Sequence, residues 1–155
     1  IKRICELKCF MTTVHTLGGE DMLRAARHEI KANEHKPLLI GVTVLTSHND
    51  IKEIGINDSI EVQVLRLAEL AAKRNLDGIV CSPHEIEPIK QRFGNDLKLV
   101  VPGIRDADAP KNDQSRTMSA KEAIDKGADY LVIGRPITMA ENPPMAAKKL
   151  VESIS

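Results

Sequence analysis

Val100-Val101-Pro102-Gly103-Ile104-Arg105 and Tyr130-Leu131-Val132-Ile133-Gly134-Arg135-Pro136 decide how this chain is read. Each is a continuous apolar run that breaks at its C-terminal end into a glycine and an arginine. Strands buried on both faces look like this, and in parallel sheets both faces are covered. Glycine lets the backbone come close to an anion, and arginine offers a fork of donors that matches phosphate oxygens. In a βα-barrel the loops after the last two strands commonly bind phosphate, with catalytic groups around the same face. The two runs point to an enzyme site for a phosphorylated small molecule.

Outward from these runs the same alternation recurs. Strand-like stretches stand at Phe10–His15, Leu38–Leu45, Gly78–Cys81, Leu97–Ile104 and Tyr130–Ile133. Helical patterns fill the gaps. Ile60, Val64, Leu67, Ala68 and Ala71 make one apolar face, which predicts an amphipathic helix over Ile60–Arg74. Ser82-Pro83-His84-Glu85 offers an N-cap, a proline at the first helical position and a capping-box glutamate. Ser119-Ala120-Lys121-Glu122 repeats the box, and Gly127 is placed to end that helix. Asn142 and Pro143 open a final helix whose apolar face is Ala146, Ala147, Leu150, Val151 and Ile154. Ile1–Leu7 reads as the end of a helix already under way. Five strands alternating with helices demand a parallel sheet with right-handed crossovers.

Composition narrows the function. The 155 residues suit one domain, 1–155, with no internal linker. Lys+Arg and Asp+Glu are both 22, so no global field attracts nucleic acid or an anionic membrane. The apolar runs are too short to span a bilayer. Three cysteines, Cys5, Cys9 and Cys81, are few and odd in number, which suggests a reducing cytoplasm. Cys5 and Cys9 lack a second ligand pair, and His28, His35, His48 and His84 share no spacing, so no metal site is expected. With no Trp, one Tyr and two Phe the core must be aliphatic. A full eight-stranded barrel needs roughly 250 residues. Pattern alone therefore leaves two architectures open: part of such a barrel, or a five-stranded doubly wound sheet of flavodoxin type.

A resemblance tips this balance. Val14-His15-Thr16-Leu17-Gly18-Gly19, Pro37 through Ser47, Leu76 through Ser82, Val101 through Arg105, Asp113-Gln114-Ser115-Arg116 and Asp129 through Thr138 stand in the order and at the gaps of bacterial orotidine 5′-phosphate decarboxylases. Single motifs here are weak; six in register over nearly the whole chain are strong. The resemblance implies a (β/α)8 TIM barrel, of which these residues would supply the last five βα units. It implies a homodimer that turns orotidine 5′-phosphate into UMP without metal or organic cofactor. It nominates Thr46, Pro102, Arg105, Gln114, Gly134 and Arg135 as substrate-binding residues. Arg105 and Gln114 would belong to a lid over Arg105–Met118, while Gly134 and Arg135 would hold the phosphate. His15 stands at a recurrent family position and receives no role. The family's catalytic array, an Asp, a Lys and an Asp-x-Lys-x-x-Asp run on its first three strands, has no match here. No catalytic residue is therefore expected in this chain, and these residues alone are expected to be inactive. Two other readings stay open: a metal-using phosphosugar enzyme of the same suprafamily, similar to hexulose-6-phosphate synthase, and a non-enzymatic half-barrel interaction module.

Overall fold

A computed structural model describes residues 1–48, 50–105 and 117–154. The chain runs α1 (Lys2–Glu6), β1 (Met11–His15), α2 (Gly19–Ala32), β2 (Leu38–Val42), α3 (Ile60–Lys73), β3 (Gly78–Val80), α4 (Ile86–Phe93), β4 (Lys98–Val101), α5 (Ala120–Asp125), β5 (Tyr130–Leu131), α6 (Arg135–Thr138) and α7 (Pro143–Ser153). All four strand pairings are parallel, and the order across the sheet is β1-β2-β3-β4-β5. A doubly wound sheet reverses its order at a switch point. This one never does, so the flavodoxin alternative falls and the barrel-type winding stands.

The sheet is also curled. Phe10 precedes the first edge strand and Tyr130 opens the other, yet their rings meet edge to face with centroids 5.9 Å apart. Four inter-strand gaps in a flat sheet would separate those edges by roughly 19 Å, too far for two rings to touch so closely. The two faces consequently differ. On the convex face Leu39, Ile79, Leu99 and Val101 pack with Leu23, Ala26 and Ile30 of α2, Val64, Leu67 and Ala68 of α3, and Ile86 and Ile89 of α4. Alternation sends Ile40 and Val100 to the concave face, where they are buried outside that cluster. Towards its edges the concave face opens, and Thr13, His15 and Val132 are exposed.

Every strand is shorter than its apolar run. β4 stops at Val101 because Pro102 has no N–H for the ladder. Ile104 stays buried beyond it and forms an isolated parallel bridge with Met118. Likewise Val44 packs in the core two residues after β2 has ended. Apolar continuity reports burial here, and the ladder needs hydrogen bonds as well.

Sequence cues at the helix starts hold. The Ser119 and Asn142 side chains accept from the backbone N–H of Glu122 (3.2 Å) and Met145 (3.1 Å), and Ser59, which the sequence reading left unnamed, accepts from the Val62 N–H (3.3 Å). Glu85 accepts from the Ser82 N–H at 2.6 Å, and a single 3-10 turn, Pro83–Glu85, leads into α4.

The strand ends are satisfied by a repeated device. At the N-terminal end, Asp77 and Asp129 stand just before β3 and β5. Each carboxylate accepts from an N–H of the neighbouring strand, Leu39 at 2.7 Å and Leu99 at 2.9 Å. Each is then paired with a helix cation, Arg27 at 2.8 Å and Lys90 at 3.5 Å. The turns that deliver them are alike: Asn75 (φ 56°) and Gly127 (φ 108°) are left-handed, and the next N–H reaches back five residues, Leu76 to Ala71 and Ala128 to Ala123. At the C-terminal end the orphan groups are carbonyls, so donors are needed. The Thr16 hydroxyl donates to the Val42 carbonyl at 2.7 Å, and the Thr43 hydroxyl to the Val80 carbonyl at 2.8 Å.

Candidate functional site

Parallel strands put all five C-terminal ends at one end of the sheet, and the nominated residues follow them there. Pro102 and Gly103 come directly after β4, with Gly103 in the left-handed region (φ 80°) that turns the chain. Arg105 follows. Its N–H donates to the Met118 carbonyl at 2.9 Å, and the Met118 N–H donates to the Gly103 carbonyl at 3.3 Å. The base of the expected lid is thus clamped, with Arg105 and Met118 inside the clamp. Arg105 is 9% exposed, and its guanidinium donates to the Ile104 carbonyl at 3.1 Å. Gln114 and the body of the expected lid lie outside the described residues.

Gly134 and Arg135 sit at the neighbouring strand end. The Gly134 carbonyl accepts from Ile137 (2.9 Å) and Thr138 (3.0 Å), which opens the short helix α6 with Arg135 as its first residue. Gly134 is exposed, and a Cβ placed on it would meet no atom within 4 Å. Open space beside a backbone turn is what an approaching anion requires. β5 pairs over Tyr130–Leu131 only, so Arg135 starts a helix four residues past the ladder and does not extend the strand.

Thr46 lies on the same rim after β2, three strands from β5. It is half-buried in a turn closed by the His48 N–H donating to the Leu45 carbonyl at 3.0 Å, beyond the end of β2. His15 ends β1 and is exposed. Pro102–Arg105 and Gly134–Arg135 are therefore neighbours, while Thr46 and His15 extend the rim towards the other edge. The sequence reading missed Thr16 and Thr43, whose hydroxyls finish the strand ends beneath this rim. Each stands directly after a strand, Thr16 after β1 and Thr43 after β2, but Thr43 falls inside the stretch Leu38–Leu45 and so gave no separate signal.

Other reactive groups are elsewhere or quiet. Lys98 opens β4, at the opposite end of the sheet. Burial, with the Glu85 carboxylate adding to it and Lys90 partly offsetting it, pushes the Cys81 thiol far above its usual range. Cys81 is a neutral packing group and no nucleophile. Among the described residues no three His, Cys, Asp or Glu side chains could hold a metal ion, and no helix is long and apolar enough to cross a membrane.

Comparison with known proteins adds to this geometry. The model of the orotidine 5′-phosphate decarboxylase / HUMPS family matches residues 1–150. An orotidine 5′-phosphate decarboxylase of Saccharophagus degradans is 42% identical over 100% of this chain and 66% of its own length. That of Vibrio cholerae is 46% identical over 99% of this chain and 68% of its own. The crystal structure of orotidine 5′-phosphate decarboxylase from Lactobacillus acidophilus superposes with a TM-score of 0.83 at 32% identity, covering 99% of this chain and 67% of that one. The chain spans about two-thirds of the length of the curated relatives it matches.

Proposed function

The chain belongs to the orotidine 5′-phosphate decarboxylase / HUMPS family, and from that membership we propose that it is the phosphate-binding part of a decarboxylase barrel converting orotidine 5′-phosphate to UMP. One observation carries the reading. Over a chain matched to the family from residue 1 to 150, the two glycine–arginine strand ends stand side by side on the face where barrels build their sites.

The residues divide the work as follows. The Gly134-Arg135 backbone and the Arg135 guanidinium take the phosphate, combining fixed dipoles with a charged fork. Arg105, clamped at the loop base, and Gln114 belong to the segment that covers the ligand. Pro102 and Thr46 line the path from phosphate to base. Loss of carbon dioxide needs a cation to stabilise the carbanion left behind, and anions that disfavour the bound carboxylate. This chain has no match to the family's Asp/Lys array, so its residues bind and position the substrate but do not perform the chemistry. Contacts to a remote phosphate still accelerate such a reaction when they drive closure and positioning. The same reading makes the assembly a homodimer working in the cytoplasm, in keeping with a neutral chain that carries three unpaired cysteines.

Calorimetry with UMP tests the phosphate site: Arg135→Ala is expected to weaken binding by about 1.5–3 kcal/mol, the range for hydrogen bonds to charged groups. An unchanged dissociation constant would refute it. Purified chain mixed with orotidine 5′-phosphate should show no loss of substrate absorbance. Turnover that survives removal of host enzyme would relocate the catalytic groups into these 155 residues.

A further inference from the structure

The convex wall carries a second concentration of positive charge, independent of the strand-end site. A cavity of about 220 Å³ opens between α2 and the C-terminal end of α3, lined by Arg24, Arg27, His28 and Lys31 from one side and Lys73 and Arg74 from the other. The chain as a whole is neutral, with 22 cations and 22 anions. Five Lys or Arg around one small cavity is therefore a local excess. Three carboxylates face it. Asp21 pairs with Arg24 at 2.8 Å and Asp77 with Arg27 at 2.8 Å, while Glu20 pairs with Arg74 and lies 3.9 Å from Lys73. His28 and Lys31 have no ion-pair partner among the described residues. Positive charge remains after the pairing.

A second observation concerns hydrogen bonds. Arg27 and Arg74 each commit Nη2 to a carboxylate. Their Nε atoms are fully enclosed and have no hydrogen-bond partner. A buried donor without an acceptor is destabilising, and natural structures rarely leave one. Enclosed in this way, the two Nε donors are not reached from the cavity, so what the two arginines offer a ligand there is their charge and their fixed position. Fixing each guanidinium by its ion pair also removes most of the ordering cost of binding.

We infer that the α2–α3 cavity is a binding site for a small anion bearing two or more phosphate groups, separate from the site at the strand ends. A single-charged ion would answer only one of the cations. Linked phosphates carry several charges and oxygens, enough for the arginines of the wall together with Lys31 and Lys73 at the rim. Bound there, the anion ties α2 to α3 from outside the sheet.

Inorganic pyrophosphate is the probe, titrated into the chain by calorimetry at low ionic strength, because such contacts fade with salt. Binding tighter than millimolar is expected. It should weaken by about tenfold or more in Lys31→Glu/Lys73→Glu, two exposed positions whose reversal leaves the core untouched. Binding should persist in Arg135→Ala and with saturating UMP, where the strand-end site no longer takes up the probe, which separates this site from the strand-end site whatever becomes of that reading. Should the double variant misfold, amine acetylation of the unaltered chain decides the matter: pyrophosphate should protect Lys31 and Lys73 but not Lys121. Absence of binding, equal binding in a folded double variant, loss of binding in Arg135→Ala or with UMP, or no selective protection would each overturn the site.

Discussion

The two ends of the sheet are built from opposite materials. At the N-terminal end the strands begin with exposed N–H groups, and the chain answers with Asp77 and Asp129, each also held by a helix cation. At the C-terminal end the strands finish in carbonyls, and the chain answers with the neutral hydroxyls of Thr16 and Thr43. Charge at the first end is used within the fold. At the other end Gly134 is exposed and Arg135 half-buried, next to a buried Gly103 and Arg105. Glycine marks the same contrast. Gly78, at the start of β3, has no room for a side chain, because a Cβ there would overlap the Lys98 carbonyl oxygen. Gly134, beyond β5, has nothing beside it within 4 Å. The first glycine serves packing, and the second leaves space.

The contrast breaks most easily at Gly78. The obstructing atom in Gly78→Ala is backbone and cannot rotate away, so β3 and β4 must move apart at their pairing. Overpacking of this kind costs typically 1–3 kcal/mol and occasionally more, and about 3 kcal/mol is expected here. The measurement is urea denaturation followed by circular dichroism. A midpoint within error of the parent would mean the strands are not locked where the register places them.

A smaller loss is expected for Asp77→Ala. It removes the acceptor of the fully buried Leu39 N–H and strands Arg27, itself only 14% exposed. About 2 kcal/mol follows from one buried donor left unpaired. Asp129→Ala should cost less, since Lys90 sits farther off at 3.5 Å and keeps Asn95 as a partner. Reversal of that order would show that the two turns, alike in backbone, are not alike in energy.

How much of this was legible beforehand follows the same division. The five strands, their parallel pairing and the three capped helices are written in local patterns: apolar runs, serine or asparagine at the N-cap, proline just after it. Helix α2 carries no such signal. Its N-cap is Gly18 with no side-chain cap, and its buried face is only Leu23, Ala26 and Ile30 among charged neighbours. Strand ends were overread because Val44 is buried beyond the end of β2, and Ile104 is buried and bridges only to Met118, outside the β4 ladder. Arg135 and Gly134 could be nominated from the run they terminate, whereas Thr46 and Gln114 needed the register of a family. The α2–α3 cavity was invisible in one dimension, since Arg27 and Arg74 are brought together only by packing.

Below the rim, Thr16→Val tests the hydroxyl device by itself. The side chain is fully buried and its shape is nearly kept, so the change removes chiefly one hydrogen bond to the Val42 carbonyl. About 1 kcal/mol is expected, the usual net value of such a bond. Hydrogen exchange should locate the effect, with faster exchange at the paired ends of β1 and β2 and little change in α7.

Gly134→Ala should be the mildest change for the fold and the sharpest for the comparison. Its φ of −100° lies outside the left-handed region that favours glycine, and no atom stands within 4 Å of the new methyl group. A glycine replaced where alanine fits loses unfolded-state entropy rather than native contacts. Stability should therefore stay within roughly 0.5 kcal/mol of the parent or rise slightly, the usual range for a surface change. UMP affinity should fall in the same variant, because the methyl group occupies the approach to the backbone beside Arg135. Paired measurements by urea denaturation and calorimetry read both quantities from one preparation. A large loss of stability would mean that Gly134 serves packing as Gly78 does. Unchanged stability with unchanged affinity would mean that the open space at this strand end is not where the phosphate sits.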